Sequence, residues 1–269
     1  MKEFSGRVAA ITGAGSGIGQ ALAVQLAERG CTVAASDKNP AGLVDTKAKI
    51  EAMGGRCSVQ ELDVADRAAM EAWASTVVEN HGAVHLLFNN AGVTLIDSAE
   101  TMAYEDFEWL MNINFWGVVY GSKAFLPYLK QAEEAHIVNV SSLFGLYSLP
   151  LQSAYNSAKF AVRGFTESLK MELAGTSVNV SCVHPGGVRT EIARNARVRS
   201  DNIGVGKKHF ISIFDGAART TAEQAASSII KGVQKNRRRI LIGWDARLSD
   251  IVVRLFPGSY ERRLKLEQS

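Results

Sequence analysis

The sequence predicts an α/β protein built as a single Rossmann-type doubly wound domain, a seven-stranded parallel sheet with helices on both faces. Two observations carry this prediction. Short apolar runs alternate with helical segments over most of the chain, an order typical of parallel strands joined by right-handed crossovers. A glycine-rich turn joins the first apolar run to the first helical segment, where sheets of this class bind nucleotides.

The apolar runs predict strands, and the stretches with helical periodicity predict the helices between them. The predicted strands lie at 8–12, 31–37, 56–64, 84–92, 136–142, 177–187 and 237–243. The predicted helices lie at 20–30, from near Pro40 to about 54, 66–80, 104–129 with an interruption near Asn114 and Gly117, from Ser153 onward, and 221–236.

We expect residues 1–245 to form this domain and residues 246–269 to form a C-terminal amphipathic helical tail. An apolar stripe recurs in the tail at helical spacing: Leu248, Ile251, Val252, Leu255 and Phe256. The surrounding segment is rich in Lys and Arg, so one interpretation is a helix lying on an anionic membrane. The other is a helix docked on its own subunit or on its partner, with the stripe buried near the substrate entrance. We favour docking, because the stripe is short and lacks the aromatic residues usual for a membrane-surface helix.

Composition limits the classes of function. The chain has 269 residues, 46% of them hydrophobic, which suffices for one large core. Its formal net charge of +3 is too small to indicate a nucleic-acid partner. Cys31, Cys57 and Cys182 lack CxxC spacing and are interpreted as reduced thiols. With no signal-peptide pattern and no apolar run near the roughly 20 residues that span a bilayer, we expect a soluble, cytoplasmic protein without integral membrane association. No metal is predicted.

The glycine-rich turn predicts a phosphate-binding site. Glycines allow the backbone to approach a pyrophosphate closely, and the helix that follows presents free N–H groups and its positive dipole end. An ordinary tight turn is the alternative. The candidate cofactor-binding residues here are Gly13, Gly15, Ser16, Gly17, Ile18 and Gly19.

Two carboxylates end the next two predicted strands. Asp37 lies about twenty residues beyond the turn, where a carboxylate can bond both ribose hydroxyls of NAD. Asp63, followed by Val64, is placed to meet the adenine. Each aspartate has an alternative role as the cap of the helix that follows it. A carboxylate at 37 would repel the phosphate of NADP, so NAD is the expected cofactor, although Lys38 could reach that phosphate.

Tyr155 and Lys159 form the candidate catalytic pair. They lie four residues apart on one face of a predicted helix. A neighbouring ammonium favours the phenolate, so we expect Lys159 to lower the pKa of Tyr155 from its usual value of about 10. Ser142 ends a buried strand, where its hydroxyl can bond a substrate oxygen, whereas Ser141 faces the other way. A lone pair of this spacing can also be an exposed helical pair.

Together these motifs resemble the classical short-chain dehydrogenase/reductase family over roughly residues 5 to 245. The matching motifs are TGAGSGIG, Asp63-Val64, Asn89-Asn90-Ala91-Gly92, Asn114, Ser142, Tyr155 with Lys159, and the segment 185–190. The resemblance implies reversible hydride transfer between NAD(H) and a secondary alcohol or ketone, with pairing of subunits into a homodimer or homotetramer.

The resemblance also implies a role for each matched residue. Ser142 would hold the substrate oxygen, Tyr155 would be the general acid/base, and Lys159 would lower the Tyr155 pKa and bond the nicotinamide ribose. Asn114 would anchor a water linked to Lys159, unless it is only a buried polar kink. The remaining cofactor-binding candidates implied are Asn90, Ala91, Gly92, Pro185, Gly186, Val188 and Thr190.

Substrate specificity is expected in a lid at about 191–220, a segment too long for an ordinary connection. The candidate substrate-binding residues are Leu95, Ser142, Leu143, Leu149, Gln152, Tyr155, Phe210 and Phe214. Their apolar character favours a lipophilic small molecule. Basic residues of the lid leave a 3-oxoacyl or 3-hydroxyacyl thioester as a rival substrate, and a dinucleotide sensor without turnover is the alternative from another class.

Overall fold

The computed structural model describes residues 1–192, 194–198 and 218–264. Its strands are β1 Val8–Thr12, β2 Thr32–Asp37, β3 Arg56–Glu61, β4 Leu86–Asn89, β5 Leu95–Ile96, β6 Ala135–Val140, β7 Val178–Pro185, β8 Arg197–Val198 and β9 Arg239–Ile242. Its helices are α1 Gly17–Ala27, α2 Pro40–Ala52, α3 Arg67–His81, α4 Tyr104–Met111, α5 Gly117–Leu129, α6 Ser153–Glu172, α7 Ala222–Gln234, α8 Trp244–Leu255 and α9 Tyr260–Leu264.

Within the described ranges, seven strands form one parallel sheet in the order β3-β2-β1-β4-β6-β7-β9. The strand order reverses between β1 and β4, so the crossovers on the two sides of this point leave in opposite directions and open a crevice there. The short strands β5 and β8 form a separate parallel pair. This topology confirms the fold class expected from the sequence.

Two hydrophobic layers cover the faces of the sheet. On one face, α1 and α7 pack over β1 through side chains such as Leu22 and Ile229. On the other face, α3 and α5 pack against each other, and the rings of Trp73 and Phe125 meet edge-on with centroids 5.1 Å apart. Because helices cover both faces of the sheet, the sequences of the central strands are continuous apolar runs.

The third strand is shorter than its predicted extent of 56–64 and ends at Glu61. It is the edge strand of the sheet, and most of its residues are exposed or half-buried. An edge strand has a neighbour on one side only, so its apolar pattern is weak and its end is poorly marked in the sequence.

The predicted interruption of the long helix is a π-helical stretch, Asn112–Trp116, between α4 and α5. Asn114 is fully buried there. Its side-chain oxygen accepts from Val93 N–H at 2.8 Å, and its amide donates to the Val93 carbonyl at 2.8 Å. These bonds hold the π-helical stretch against the segment that follows β4.

The tail is helical, and the described part of its own subunit leaves much of the predicted stripe exposed, so burial of the stripe against a partner subunit stays a prediction. Helix α8 packs inward through Ala246, Ser249 and Val253, which adjoin the loop after β6. Leu248 and Ile251 of the predicted stripe are 46% and 55% exposed. The small residues on the opposite side of the helix allow close packing, which hydropathy alone does not reveal. No helix in the described ranges is both long and apolar enough to cross a membrane.

Packing of α5 on β4 makes Gly121 sensitive to substitution. A Cβ added there overlaps the buried side-chain oxygen of Asn89, so Gly121→Ala should lower the free energy of unfolding by about 1–3 kcal/mol. Gly164→Ala is the control, because Gly164 is exposed in α6 with open space around it. It should raise stability by about 0.5–1 kcal/mol through helix propensity. Urea denaturation measures the free energy of unfolding of both variants. Equal changes in the two variants would contradict the close approach of α5 to β4.

Candidate active site

The candidate site lies at the carboxyl edge of the sheet. Because all paired strands are parallel, the segments that follow β1, β4, β6 and β7 meet at this edge. They carry the glycine-rich turn, Asn90, Ser142 and the segment from Gly186 onward. The topology therefore brings together residues that are far apart in the chain.

The side chains of Ser142 and Tyr155 interact, and both residues are nearly buried, with exposed fractions of 8% and 9%. Ser142 Oγ also accepts from Phe144 N–H at 3.1 Å. Ser141 points the other way and donates its hydroxyl to the Lys159 carbonyl at 2.8 Å, as the alternation of strand residues predicts. Of the two serines, only Ser142 faces Tyr155.

His184 supports Ser142 from behind and was missed by the sequence reasoning. Its Nδ1–H donates to the Ser142 carbonyl at 2.9 Å, and burial lowers the pKa of His184 to about 4. The imidazole is therefore neutral near neutral pH and keeps this tautomer. The sequence carries no signal for this contact, because it joins β7 to the loop after β6, 42 residues away along the chain.

Lys159 is 3% exposed, and its ammonium lies 5.6 Å from the centroid of the Tyr155 ring. It donates to the Val140 carbonyl at 3.1 Å. Burial lowers the pKa of Lys159 to about 8. Burial also raises the pKa of Tyr155, and the hydrogen bond with Ser142 offsets this only partly. Desolvation is thus the largest influence on the Tyr155 pKa in this structure, and the lowering of that pKa by Lys159 stays a prediction.

Gly92 keeps space open beside Lys159. A Cβ at this position would lie 3.4 Å from Lys159 Nζ and 3.2 Å from Asn114 Oδ1. Asn114 and Lys159 thus border the same small region. Both side-chain polar atoms of Asn114 are hydrogen-bonded to Val93.

The glycine-rich turn has the geometry of a phosphate cradle. Gly13 and Gly17 have φ of 66° and 53°, which favours glycine at both positions. A Cβ at Gly19 would overlap the Gly13 carbonyl, so the third glycine permits close packing of turn and helix. Ser16 precedes α1 without a side-chain capping bond, and its own hydroxyl does not occupy the helix N-terminus. A cradle that a Cβ would fill, at a helix N-terminus, fits a dinucleotide pyrophosphate.

Asn90 and Ala91 fasten the segment after β4 to the start of this turn. Their N–H groups donate to Thr12 Oγ1 at 3.0 and 3.1 Å. The Asn90 amide also donates to the carbonyls of Thr12 and Gly13. These bonds fix the segments on the two sides of the crevice between β1 and β4, with the Thr12 hydroxyl as a shared acceptor.

Neither Asp37 nor Asp63 caps a helix. Asn39 caps α2 and Asp66 caps α3, so both capping alternatives are wrong. Asp37 instead accepts from Gly15 N–H at 2.8 Å and from Asn39 N–H at 2.8 Å, which fixes its carboxylate beside the turn.

Lys38 binds Asp63, with Nζ 2.6 Å from Oδ2. Partial burial raises the pKa of Asp63, but hydrogen bonds from Lys38 and from Ala65 N–H outweigh it, so the pKa lies below its ordinary value. Lys38 thus pairs with Asp63 beyond the ends of β2 and β3.

The segment after β7 lies across the cradle. Thr190 Cγ2 would be 3.1 Å from a Cβ on Gly17, and Val188 forms a parallel bridge with Thr220. Gly187 N–H donates to Asp245 Oδ2 at 2.7 Å, and a Cβ at Gly186 would overlap the same carboxylate. Asp245, the second residue of α8, thus braces this segment. Sequence reasoning missed it, since an acidic residue in a first helical turn looks like an ordinary dipole contact.

An apolar wall stands beside Tyr155. The Phe144 ring meets the Tyr155 ring edge-on at 6.2 Å and Tyr147 at 5.7 Å, and these two aromatic residues were not among the predicted pocket residues. Leu143 and Leu149 belong to the same cluster.

Two other residues that were predicted to line the substrate pocket, Leu95 and Gln152, are buried. Leu95 is fully buried in the cluster that holds Tyr155, and the Gln152 amide is bonded to Thr94 and the Leu95 carbonyl. Phe210 and Phe214 lie outside the described residues.

Comparison with known proteins gives consistent matches. A family model described as short chain dehydrogenase matches residues 7–201. SadH of Mycobacterium tuberculosis, classed as an oxidoreductase, is 45% identical over 265 residues, covering 97% of this chain and 95% of that protein. The 3-oxoacyl-[acyl-carrier-protein] reductase FabG of Thermotoga maritima is 36% identical over 70% of this chain and 76% of its own length. The cyclohexanol dehydrogenase of an Acinetobacter strain is 34% identical over 71% and 76%.

Among solved structures, a short-chain dehydrogenase/reductase from Burkholderia phymatum in complex with NAD has a TM-score of 0.87 and 33% identity. The superposition covers 100% of this chain and 99% of that one.

The contact of Asp245 with Gly187 can be tested by NADH binding. Asp245→Ala removes a charge-assisted hydrogen bond, so the Kd for NADH should rise about 10- to 100-fold. Asp245→Asn can still accept from Gly187 N–H and should recover part of the affinity. Asp250→Asn, on the same helix but bound to Arg239 and Arg254, is the control and should leave the Kd unchanged. Fluorescence titration measures Kd; an unchanged value in Asp245→Ala would rule out the bracing role.

Proposed function

The chain belongs to the short-chain dehydrogenase family, and on that basis we propose that it interconverts a secondary alcohol and a ketone by hydride transfer with NAD, on a lipophilic substrate. The observation that carries the proposal is the buried group of Ser142, Tyr155 and Lys159 beside the glycine-rich turn. The two sides of the reaction, proton transfer and cofactor binding, thus have candidate residues at one edge of the sheet.

In this proposal Ser142 donates a hydrogen bond to the substrate oxygen, and Tyr155 Oη gives that oxygen a proton in reduction or takes it in oxidation. Burial raises the Tyr155 pKa, so a free phenolate is disfavoured. The Lys159 cation, held by the Val140 carbonyl, stabilises the phenolate as it forms. When bound in the glycine cradle, the nicotinamide dinucleotide supplies or accepts the hydride.

Proton exchange with solvent is assigned to the region bordered by Lys159, Gly92 and Asn114. The Asn114 side chain is held in place by its two bonds to Val93, and Asn114 anchors the water in this proposal. The π-helical geometry supports the assignment, because such stretches disturb the regular pairing of helical carbonyls.

The thioester alternative draws on two observations, the likeness to FabG and the basic lid. Two of the lid arginines are already paired: Arg194 with Glu191 at 2.6 Å, and Arg197 with Asp106 at 2.6 Å. Both pairs lessen the positive charge available to an acidic carrier. The apolar wall of Phe144 and Tyr147 favours the alcohol or ketone, and the complete Ser142, Tyr155 and Lys159 group argues against a sensor without turnover.

Assembly into a homodimer or homotetramer is also proposed. Trp116 and Phe160, on the helices that follow β5 and β6, are 42% and 39% exposed, which suits an apolar contact between subunits. The nearby Phe115 and Phe165 are half-buried within the subunit and are not part of this surface.

The proposed reaction predicts the behaviour of Tyr155→Phe. This variant should lose about 10²–10⁴-fold in kcat, because the proton-transfer group is gone, and should bind NADH as before. Activity is measured by NADH absorbance over a panel of secondary alcohols. Tyr128→Phe is the control, since the Tyr128 hydroxyl contacts Ser75 away from the site. Substantial turnover by Tyr155→Phe would sink the assignment, and a wild-type chain that binds NADH but turns over no alcohol would favour the sensor.

The position of Asp37 predicts a preference for NAD. Its carboxylate is fixed beside Gly15, where the extra phosphate of NADP meets like charge, and Lys38 is engaged with Asp63. We expect kcat/KM to favour NAD over NADP by about 100-fold. Asp37→Ser should reduce the preference, whereas Asp45→Ser, an exposed carboxylate bound to Lys49, should not. A wild-type preference for NADP would show that Lys38 outweighs Asp37.

A further inference from the structure

Helix α8 carries an exposed apolar face that the described residues of its own domain do not cover. Trp244, Leu248, Ile251 and Leu255 are 60%, 46%, 55% and 66% exposed. Their spacing of four, three and four residues places them in one row along the helix. We call these four residues the outer stripe. It includes a tryptophan, an aromatic residue that the sequence pattern had not assigned to the stripe.

The outer stripe lies opposite the docked face of the same helix. Ala246, Ser249 and Val253, which adjoin the loop after β6, fall on the other side at 100° per residue. Docking through small residues thus holds the helix in place and leaves the larger apolar side chains outward. An ordinary surface helix has the reverse arrangement.

The charges around this face are asymmetric. Residues 235–264, all of them described, include eight Lys or Arg and three Asp or Glu. Seven of the basic residues are exposed, whereas the acidic ones are half-buried. Asp245 binds Gly187, and Asp250 binds Arg239 and Arg254. The segment that contains the stripe therefore carries an excess of exposed positive charge.

Arg247 and Arg254 lie one heptad apart along one border of the outer stripe. If two copies of α8 paired antiparallel through the stripe, these arginines would face each other, which is unfavourable. A row of four side chains also falls well short of the roughly 800 Å² per partner of a stable interface. Charge and area thus both disfavour a second copy as the occupant.

We propose that the outer stripe docks on the surface of an anionic lipid bilayer. The apolar row enters the boundary between headgroups and acyl chains, and the arginines at its border contact lipid phosphates. Arg219, whose guanidinium lies 5.9 Å from the Trp244 ring, adds a cation at one end of the row. The protein then binds a membrane peripherally, through a helix anchored to the loop that follows Ser142.

Co-sedimentation with vesicles tests the proposal on the full chain. Vesicles of phosphatidylcholine with phosphatidylglycerol should bind the protein, and vesicles of phosphatidylcholine alone should bind it much less. Leu248→Gln combined with Ile251→Gln should weaken binding at least about tenfold. Arg247→Gln should weaken it about fivefold, and raised salt should do the same.

Matched controls remove exposed groups elsewhere. Val44→Gln with Met171→Gln changes two exposed apolar residues on other helices, and Arg56→Gln changes an exposed arginine of β3; both should leave vesicle binding unchanged. Thermal unfolding checks that every variant is folded.

Three outcomes would overturn the proposal. The first is no binding of wild type to anionic vesicles. The second is that the Leu248→Gln, Ile251→Gln variant still binds vesicles but has a lower mass than wild type by light scattering. That result would assign the outer stripe to contact with a second copy of the chain. The third is a changed KM in that variant with vesicle binding intact, which would assign it to the chain's own segment 199–217.

Discussion

The parallel pairing of β1 with β4 is the constraint on which the candidate site depends. Because the strand order reverses there, the turns after both strands diverge and leave a crevice that neither crossover fills. The Thr12 hydroxyl then ties the two turns together through the N–H groups of Asn90 and Ala91. The glycine-rich turn lies on one side of the crevice and the helix of Tyr155 on the other. The pairing of β1 with β4 sets the distance between them.

Burial governs the electrostatics within that frame. Tyr155 and Lys159 are both removed from water, and in each the neutral form gains relative to the charged one. A buried lysine with a pKa near 8 is costly to stability, yet it stays mostly protonated at neutral pH. His184 is neutral, so it adds no charge near Tyr155 and Lys159. It only holds the Ser142 backbone in position.

The sheet, the glycine-rich turn and the break at Asn114 could be predicted because they depend on local patterns: apolar runs, glycines between strand and helix, and a polar residue within a helical stretch. Three features could not. The direction of the Tyr155 pKa depends on burial by distant segments, and the contact of Asp245 with Gly187 joins residues 58 apart. The docked face of α8 consists of small residues whose packing a hydropathy pattern does not register.

The bond between Asp245 and Gly187 has a consequence for the order in which the protein is made. A chain leaves the ribosome from its N-terminus, and its early segments begin to fold during synthesis. Six strands of the main sheet can emerge and pair before β9 and α8 are translated. The segment after β7 gains its brace only when these last elements are released. A newly made chain should therefore acquire its sheet before its cofactor site, and premature termination near residue 240 would leave a largely paired sheet with that site unfinished.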